Sequence, residues 1–110
     1  MNKTNNNNVA LNLTGKGQSV DLTLKGKVKT LNLDSETDTA TEKNEITNLT
    51  TDDTGANPNT PALIINITGG GELKIASPVL PSNAVQGVTF NAVAFTAKLE
   101  ATGTDQDDTF

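Results

Sequence analysis

The chain has no cysteine, histidine, tryptophan, tyrosine or arginine, and each absence removes a class of explanation. Without cysteine no disulfide can staple a small fold, and thiols say nothing about the redox compartment. Without histidine and cysteine the commonest general base, the thiol nucleophile and nearly all zinc and iron ligation are gone. Without arginine no planar clamp is present for an oxyanion or a phosphate, and no side chain suits bidentate guanine readout. The four serines, at 19, 35, 77 and 82, lie outside any Gly-x-Ser-x-Gly turn and have only lysine or a carboxylate to activate them. Paired carboxylates alone can hydrolyse glycosides. Asp52-Asp53 and Asp107-Asp108, however, fall in expected loop and tail, away from aromatic faces that would cradle a sugar. The expectation is a protein that is not an enzyme, with no catalytic residue, no cofactor and no metal.

Aromatic area is nearly as scarce, with Phe90, Phe95 and Phe110 its sole carriers. Val, Leu, Ile and Phe together supply 26 of the 110 residues, enough for a thin aliphatic core. A single domain filled this way gains from a partner or from self-association. Long apolar runs are missing too. Leu63-Ile64-Ile65 is far too short to cross a bilayer, and residues 1–20 hold no signal-like apolar stretch. A cytoplasmically made chain that keeps Met1 is expected, with no membrane association.

Charge is present but uneven. Residues 1–33 carry five lysines and one acid, Asp21, whereas residues 34–110 carry three lysines and twelve acids, for a net −5. An acidic chain without arginine is a poor nucleic-acid binder. Lys25, Lys27 and Lys29 recur at every second position, as a charged guard on a strand edge or a docking face for an acidic partner.

What the chain does have is threonine and asparagine, 18 and 14 copies, residues that favour strands and turns respectively. Residues 1–8 form a polar arm containing Asn5, Asn6, Asn7 and Asn8. Residues 9–102 form a single domain and residues 103–110 an acidic tail ending in Phe110.

An 11-residue pattern opens the domain: Val9, Val20 and Leu31 match, as do Leu11, Leu22 and Leu33, with Gly15 and Gly26 at the turns. Alternating apolar residues on one face mark short strands. Two architectures fit, a β-meander of hairpins and the opening of a β-solenoid. The pattern fades after Leu33, and a solenoid needs about three stacked repeats, so the meander is the favoured expectation.

Residues 34–62 form a long acidic loop, interrupted by a weak strand near 44–50. Leu63 to Thr68 reads as a central strand buried on both faces and Gly69-Gly70-Gly71 as a hairpin turn, with Glu72 to Ser77 running back. Pro78-Val79-Leu80-Pro81 reads as an unpaired connector whose Val79 and Leu80 are candidate hydrophobic anchors. The apolar alternation switches parity at Ala92-Val93, which predicts a bulge or bend.

About eight short strands without helical periodicity predict an all-β fold. The expected form is a two-sheet antiparallel β-sandwich of Ig-like size with an N-terminal β-meander, the alternative being a short β-solenoid or barrel.

Three motif matches have plainer readings. Gly69-Gly70-Gly71 lacks the helix and the Gly-Lys-Ser/Thr ending of a phosphate loop. Asp34-Ser35-Glu36-Thr37-Asp38 with Glu45 mimics a calcium loop but has Thr39 where glycine is required, so a solvated acidic loop is expected. Asn12-Leu13-Thr14, Asn48-Leu49-Thr50 and Asn66-Ile67-Thr68 match a glycosylation sequon that an Asn/Thr-rich chain produces by chance.

In length, unprocessed Met1, Thr/Asn/Gly/Ala-rich β pattern, missing Cys and His, and polar arm, the chain resembles small bacteriophage virion proteins, particularly capsid decoration (cement) proteins. The resemblance is one of overall style. It implies a structural virion component that stabilises the head lattice through contacts with the major capsid protein or other virion subunits, commonly as a homo-oligomer, with a trimer favoured. On that reading Asn5 to Asn8, Lys25, Lys27, Lys29, Val79, Leu80 and Phe110 are the partner-binding candidates. Alternatives are another tail or neck structural protein, or a carbohydrate-binding β-sandwich module.

Overall fold

The computed structural model describes residues 8–25, 28–39, 41–53, 62–104, 106, 108 and 109. Among these residues eight strands are found: β1 (Asn8–Leu13), β2 (Ser19–Leu24), β3 (Thr30–Ser35), β4 (Lys43–Thr51), β5 (Leu63–Thr68), β6 (Glu72–Ile75), β7 (Val88–Asn91) and β8 (Leu99–Ala101). They form two four-stranded sheets, ordered β1-β3-β5-β7 and β2-β4-β6-β8. Every neighbouring pair is parallel.

Odd strands in one sheet and even strands in the other mean that the chain winds as a coil. Each of four coils gives one strand to each sheet, and the fold is a two-sheet β-solenoid. This overturns the expected antiparallel β-sandwich with its N-terminal meander and leaves the named alternative, the solenoid. The reason lies in the 11-residue pattern itself. Val9 pairs in register with Leu31, 22 residues on, so 11 residues make half a coil. Val20 occupies the matching place in the opposite sheet, where it pairs with Ile46. A parallel pair needs a long crossover; here that crossover is the strand of the other sheet.

The repeat is hard to follow later because the coils differ in length. The step from Val9 to Leu31 is 22 residues, from Leu31 to Ile65 it is 34, and from Ile65 to Phe90 it is 25. Most of the additional residues of the second coil lie in the connection from β4 to β5, and the rest in the corner between β3 and β4 and in β4 itself, nine residues long against six in β2. The ladder absorbs them because insertions at corners leave the stacked strands in register.

Period-2 alternation aims one face of each strand into the space between the sheets. The inward columns are apolar: Val9, Leu31, Ile65 and Phe90 stack in one sheet, and Val20, Ile46, Ile75 and Ala101 in the other. In the middle coils these side chains are almost sealed, with Leu31, Ile46 and Ile65 at 0% exposure and Ile75 at 1%. Each such side chain contributes about 1.5–3 kcal/mol by burial. Leu63–Thr68 is central, as expected, but has one buried face, since Ile64 and Asn66 are half-exposed on the outer side.

Gly69-Gly70-Gly71 is a coil corner joining β5 to β6 in different sheets, not a hairpin turn. Gly69 has φ +108°, and a Cβ there would run into the Ser35 carbonyl of the corner stacked on it. Only glycine meets both constraints. Corners bond to one another as strands do: Glu36 N–H donates to Leu13 O (2.8 Å), Gly71 N–H to Ser35 O (2.9 Å) and Thr96 N–H to Gly69 O (3.0 Å).

Pro78-Val79-Leu80 pairs after all. Val79 N–H donates to Leu49 O (2.7 Å) and Thr51 N–H to Val79 O (3.0 Å), extending the third coil along β4. In a parallel ladder alternate residues face alternate neighbours, so the missing N–H of buried Pro78 is turned away from β4 and removes none of these bonds. The parity switch at Ala92-Val93 is another corner, with Val93 95% exposed between β7 and β8. The bulge lies instead in β4: Val20 and Asp21 face Ile46 and Asn48, leaving Thr47 as the additional residue, its hydroxyl donating to Val20 O (3.1 Å).

Candidate functional site

Of the acidic residues singled out by spacing, Asp34 and Glu36 are engaged in holding the fold. Asp34 Oδ1 accepts from the Thr68 hydroxyl (3.4 Å) and Glu36 Oε1 from Gly70 N–H (3.3 Å), so both tie the second coil to the third. Glu42 Oε1 accepts Thr39 N–H (3.1 Å) within the corner. Among the described residues no group of three or more acidic, histidine or cysteine side chains is placed to hold a metal ion.

Asp53, at 3% side-chain exposure, forms an ion pair with Lys29 at 2.6 Å. The ammonium of Lys29 meets its Oδ2 and supplies compensation that a buried charged oxygen needs. Asp108 is a latch. Its carboxylate accepts from Val88 N–H (2.8 Å), Thr104 N–H (2.6 Å) and the Thr104 hydroxyl (2.8 Å). This fixes the chain so that Thr109 pairs with β7, bonding Val88 O and Phe90 N–H at 2.9 and 2.7 Å.

The partner-binding candidates separate. Asn8 opens β1 at the edge of its sheet. Lys25 is exposed and Lys29 half-buried; both lie in the connection between β2 and β3 rather than along one strand edge. Val79 is 53% exposed, and Leu80 packs against the core. Asn5, Asn6, Asn7, Lys27 and Phe110 lie outside the described residues.

Val79 and Leu80, with Pro78, Pro81, Thr104 and Gln106, border an open cleft of about 320 Å³. It forms where β8, three residues long, stops short of covering the third coil. Its described lining carries hydroxyl, amide and aliphatic groups and no charge.

Two further features were not anticipated from the sequence. The first is an asparagine ladder on the outer face. Asn66 Nδ2 donates to Asn32 Oδ1 and Asn91 Nδ2 to Asn66 Oδ1, each at 3.1 Å, across three coils. Its signal was legible in the triplets Leu31-Asn32-Leu33, Ile65-Asn66-Ile67 and Phe90-Asn91-Ala92, an outward asparagine between two inward apolar residues.

The second is the open end of the stack. Among the described residues β1 and β2 each have a single neighbour, β3 and β4 respectively. Val9, Leu11, Val20 and Leu22, which point inward, are half-buried where their counterparts Leu31, Leu33, Ile46 and Leu49 are at 0–1% exposure. At the other end Leu99 and Ala101 of β8 are likewise half-buried. No sequence signal separates an end coil from a middle one, because the apolar pattern is the same. Comparison with family models, with curated proteins and with solved structures finds no match to this chain.

Proposed function

We propose that the chain is a structural, non-catalytic β-solenoid module that works by protein–protein contact within a larger assembly. The observation that carries this reading is the first coil, whose strands β1 and β2 have no outer neighbour among the described residues and whose Val9, Leu11, Val20 and Leu22 are half-buried, together with the half-buried Leu99 and Ala101 of β8 at the other end. Unpaired edges are templates for further strands, and a repeat stack is normally closed by polar caps. The end coils here keep the apolar inward pattern of the middle of the stack. The engagement of Asp34, Glu36, Glu42, Asp53 and Asp108 in structural bonds supports a role without turnover.

The setting we propose is the one that the sequence style implies, a bacteriophage virion in which the chain contacts the major capsid protein or other virion subunits. Gentle isolation from the native source tests it. Co-sedimentation of the chain with a large symmetric particle is the expected result. Recovery of the chain as a small free species, with no particle containing it, overturns the proposal.

A further inference from the structure

We infer that the cleft beside Pro78-Val79-Leu80 is a docking site for a short, extended, uncharged peptide segment of a partner protein, paired to the backbone of Leu80 as an added strand. Such a site deepens the reading of the chain as a contact module, on which it rests, by naming one contact and the chemistry that fills it.

Pro78, Val79 and Leu80 carry the third coil past β6 as an extended stretch lying on β4. Both backbone bonds of Val79, its N–H to Leu49 O and its carbonyl from Thr51 N–H, face β4. In a parallel ladder the adjoining residues turn their polar groups the other way. Leu80 therefore aims its N–H and C=O away from β4, and Pro78 its C=O. One step earlier the fourth coil takes up the equivalent groups: Thr102 N–H donates to Ile75 O (3.3 Å) and the Ser77 hydroxyl to Gly103 O (2.7 Å). Beyond Gly103 the chain turns aside, where Asp108 holds Thr104. Among the described residues no hydrogen-bond partner meets Leu80 N–H, Leu80 O or Pro78 O. The cleft of about 320 Å³ stands where the next rung of the ladder would lie.

This edge is set to receive one strand in one register. Pro78 and Pro81 fix their own φ and hold the residues before them, Ser77 and Leu80, extended. The stretch is in strand form before anything pairs with it, which lowers the ordering cost of binding. Neither proline has an N–H, so between them Leu80 N–H is the single donor turned from β4. A residue added opposite Val79 completes both bonds in a parallel pairing: its C=O accepts Leu80 N–H and its N–H donates to Pro78 O. Its two chain neighbours then point inward. There they cover Leu80, which packs on the core yet is half-buried, whereas Leu31, Ile46 and Ile65 of the covered coils are at 0% exposure.

The lining sets the rest of the chemistry. It carries no charge, so a charged side chain seated there would lose its water without compensation. The occupant is an extended segment with apolar residues on either side of the paired one. It is short, because the cleft lies at the small end of the range of about 300–1,000 Å³ typical of small-ligand sites. Strand addition to a free sheet edge is a general mode of peptide recognition.

Amide hydrogen exchange of the full chain, read residue by residue by nuclear magnetic resonance, tests this with the end-blocked peptide Thr-Val-Thr-Val-Thr as the probe. In the free chain the Leu80 amide is expected to exchange at least about tenfold faster than the paired Val79 amide, and the probe to slow it several-fold. N-methylation of the central threonine of the probe removes the hydrogen meant for Pro78 O and should weaken binding about fivefold. The same methyl on the following valine, whose N–H points away from the edge, should leave binding unchanged. Leu80→Pro removes the edge donor and should lose the response, with circular dichroism as the check on folding; the methylated probes make the same test on the unaltered chain.

A Leu80 amide already protected in the free chain overturns the inference. So does an exchange rate unmoved by excess probe, or equal binding of the two methylated probes. A chain that co-sediments with a native particle but whose Leu80 amide never responds overturns the docking site and leaves the assembly reading standing. A response to the probe in a chain found in no particle does the reverse.

Discussion

Asn44 Nδ2 donates to Ser35 Oγ at 2.9 Å between two fully buried side chains, in the corner where β3 turns toward β4. The same amide nitrogen also reaches Leu13 O (3.2 Å) and Glu36 O (3.1 Å), and Asn44 Oδ1 accepts Gln18 N–H (2.7 Å). Ser35 Oγ in turn donates to Gly71 O (2.8 Å). One pair of side chains therefore joins the corners of three successive coils. Corners cannot bond only as a regular ladder does, because the chain there changes sheet, and buried backbone groups left over must find side-chain partners.

Asn44→Leu keeps the branching and heavy-atom count of the side chain but leaves Gln18 N–H and Glu36 O without that partner. It is expected to cost about 2–4 kcal/mol, read as a lower midpoint in urea denaturation. Asn44→Asp is expected to cost more, since it adds a buried charge and removes the donors. A midpoint within about 0.5 kcal/mol of the parent would contradict the role assigned to this corner.

Lys29 and Asp53 join the approach to β3 with the exit from β4. Lys29→Met leaves the Asp53 carboxylate buried without its cation. With Lys29 40% exposed, solvent screening reduces the penalty of a broken buried pair to about 1–3 kcal/mol. Lys29→Met combined with Asp53→Asn should recover part of the loss. A double-mutant cycle checks this, and a coupling near zero would remove the pair from the account of stability.

Gly69 and Gly70 are adjacent yet should respond differently. Gly69→Ala meets positive φ and the Ser35 carbonyl together, whereas a Cβ at Gly70 comes no closer than 3.3 Å to the Thr96 hydroxyl. The first change is expected to destabilise by at least about 2 kcal/mol and the second by less than about 1 kcal/mol. Thermal melting of the two variants side by side gives the comparison, and equal shifts would show that the corner tolerates a side chain.

Asn66 is the middle of the amide ladder and takes part in both of its bonds. Asn66→Ala should cost about 1 kcal/mol, and Asn91→Ala, which breaks one bond, about half as much. The half-exposed position keeps both values small, because water replaces the lost partners. Chemical denaturation of both variants resolves the order, and a larger loss at Asn91 would reverse it.

Strand content was open to reading because alternation is a local property. The stretches around Val9–Leu13, Val20–Leu24, Leu63–Thr68 and Glu72–Ile75 each carry a period-2 apolar signal, and each is strand. Partner choice was not open to the same reading. Val9-x-Leu11-x-Leu13 and Val20-x-Leu22-x-Leu24 look alike whether they pair with each other in a meander or lie in opposite sheets one half-coil apart. The corner insertions between β3 and β4 and between β4 and β5 then hid the repeat that would have chosen between them. Of the candidate surface, Asn8 lies on the edge strand β1 and Val79 is exposed, while the pairing of Lys29 with Asp53 needed the fold to bring them together.

By itself the sequence determined an all-β chain with an aliphatic interior and a side-chain inventory poor in catalytic groups, because alternation and composition act residue by residue. Only the tertiary structure decided that the strands run parallel in two facing sheets, that Asp34, Glu36, Asp53 and Asp108 serve as staples, and that the inward residues of the end coils are only half-buried. Those properties depend on which distant segments become neighbours, and identical inward patterns in every coil leave that choice to packing.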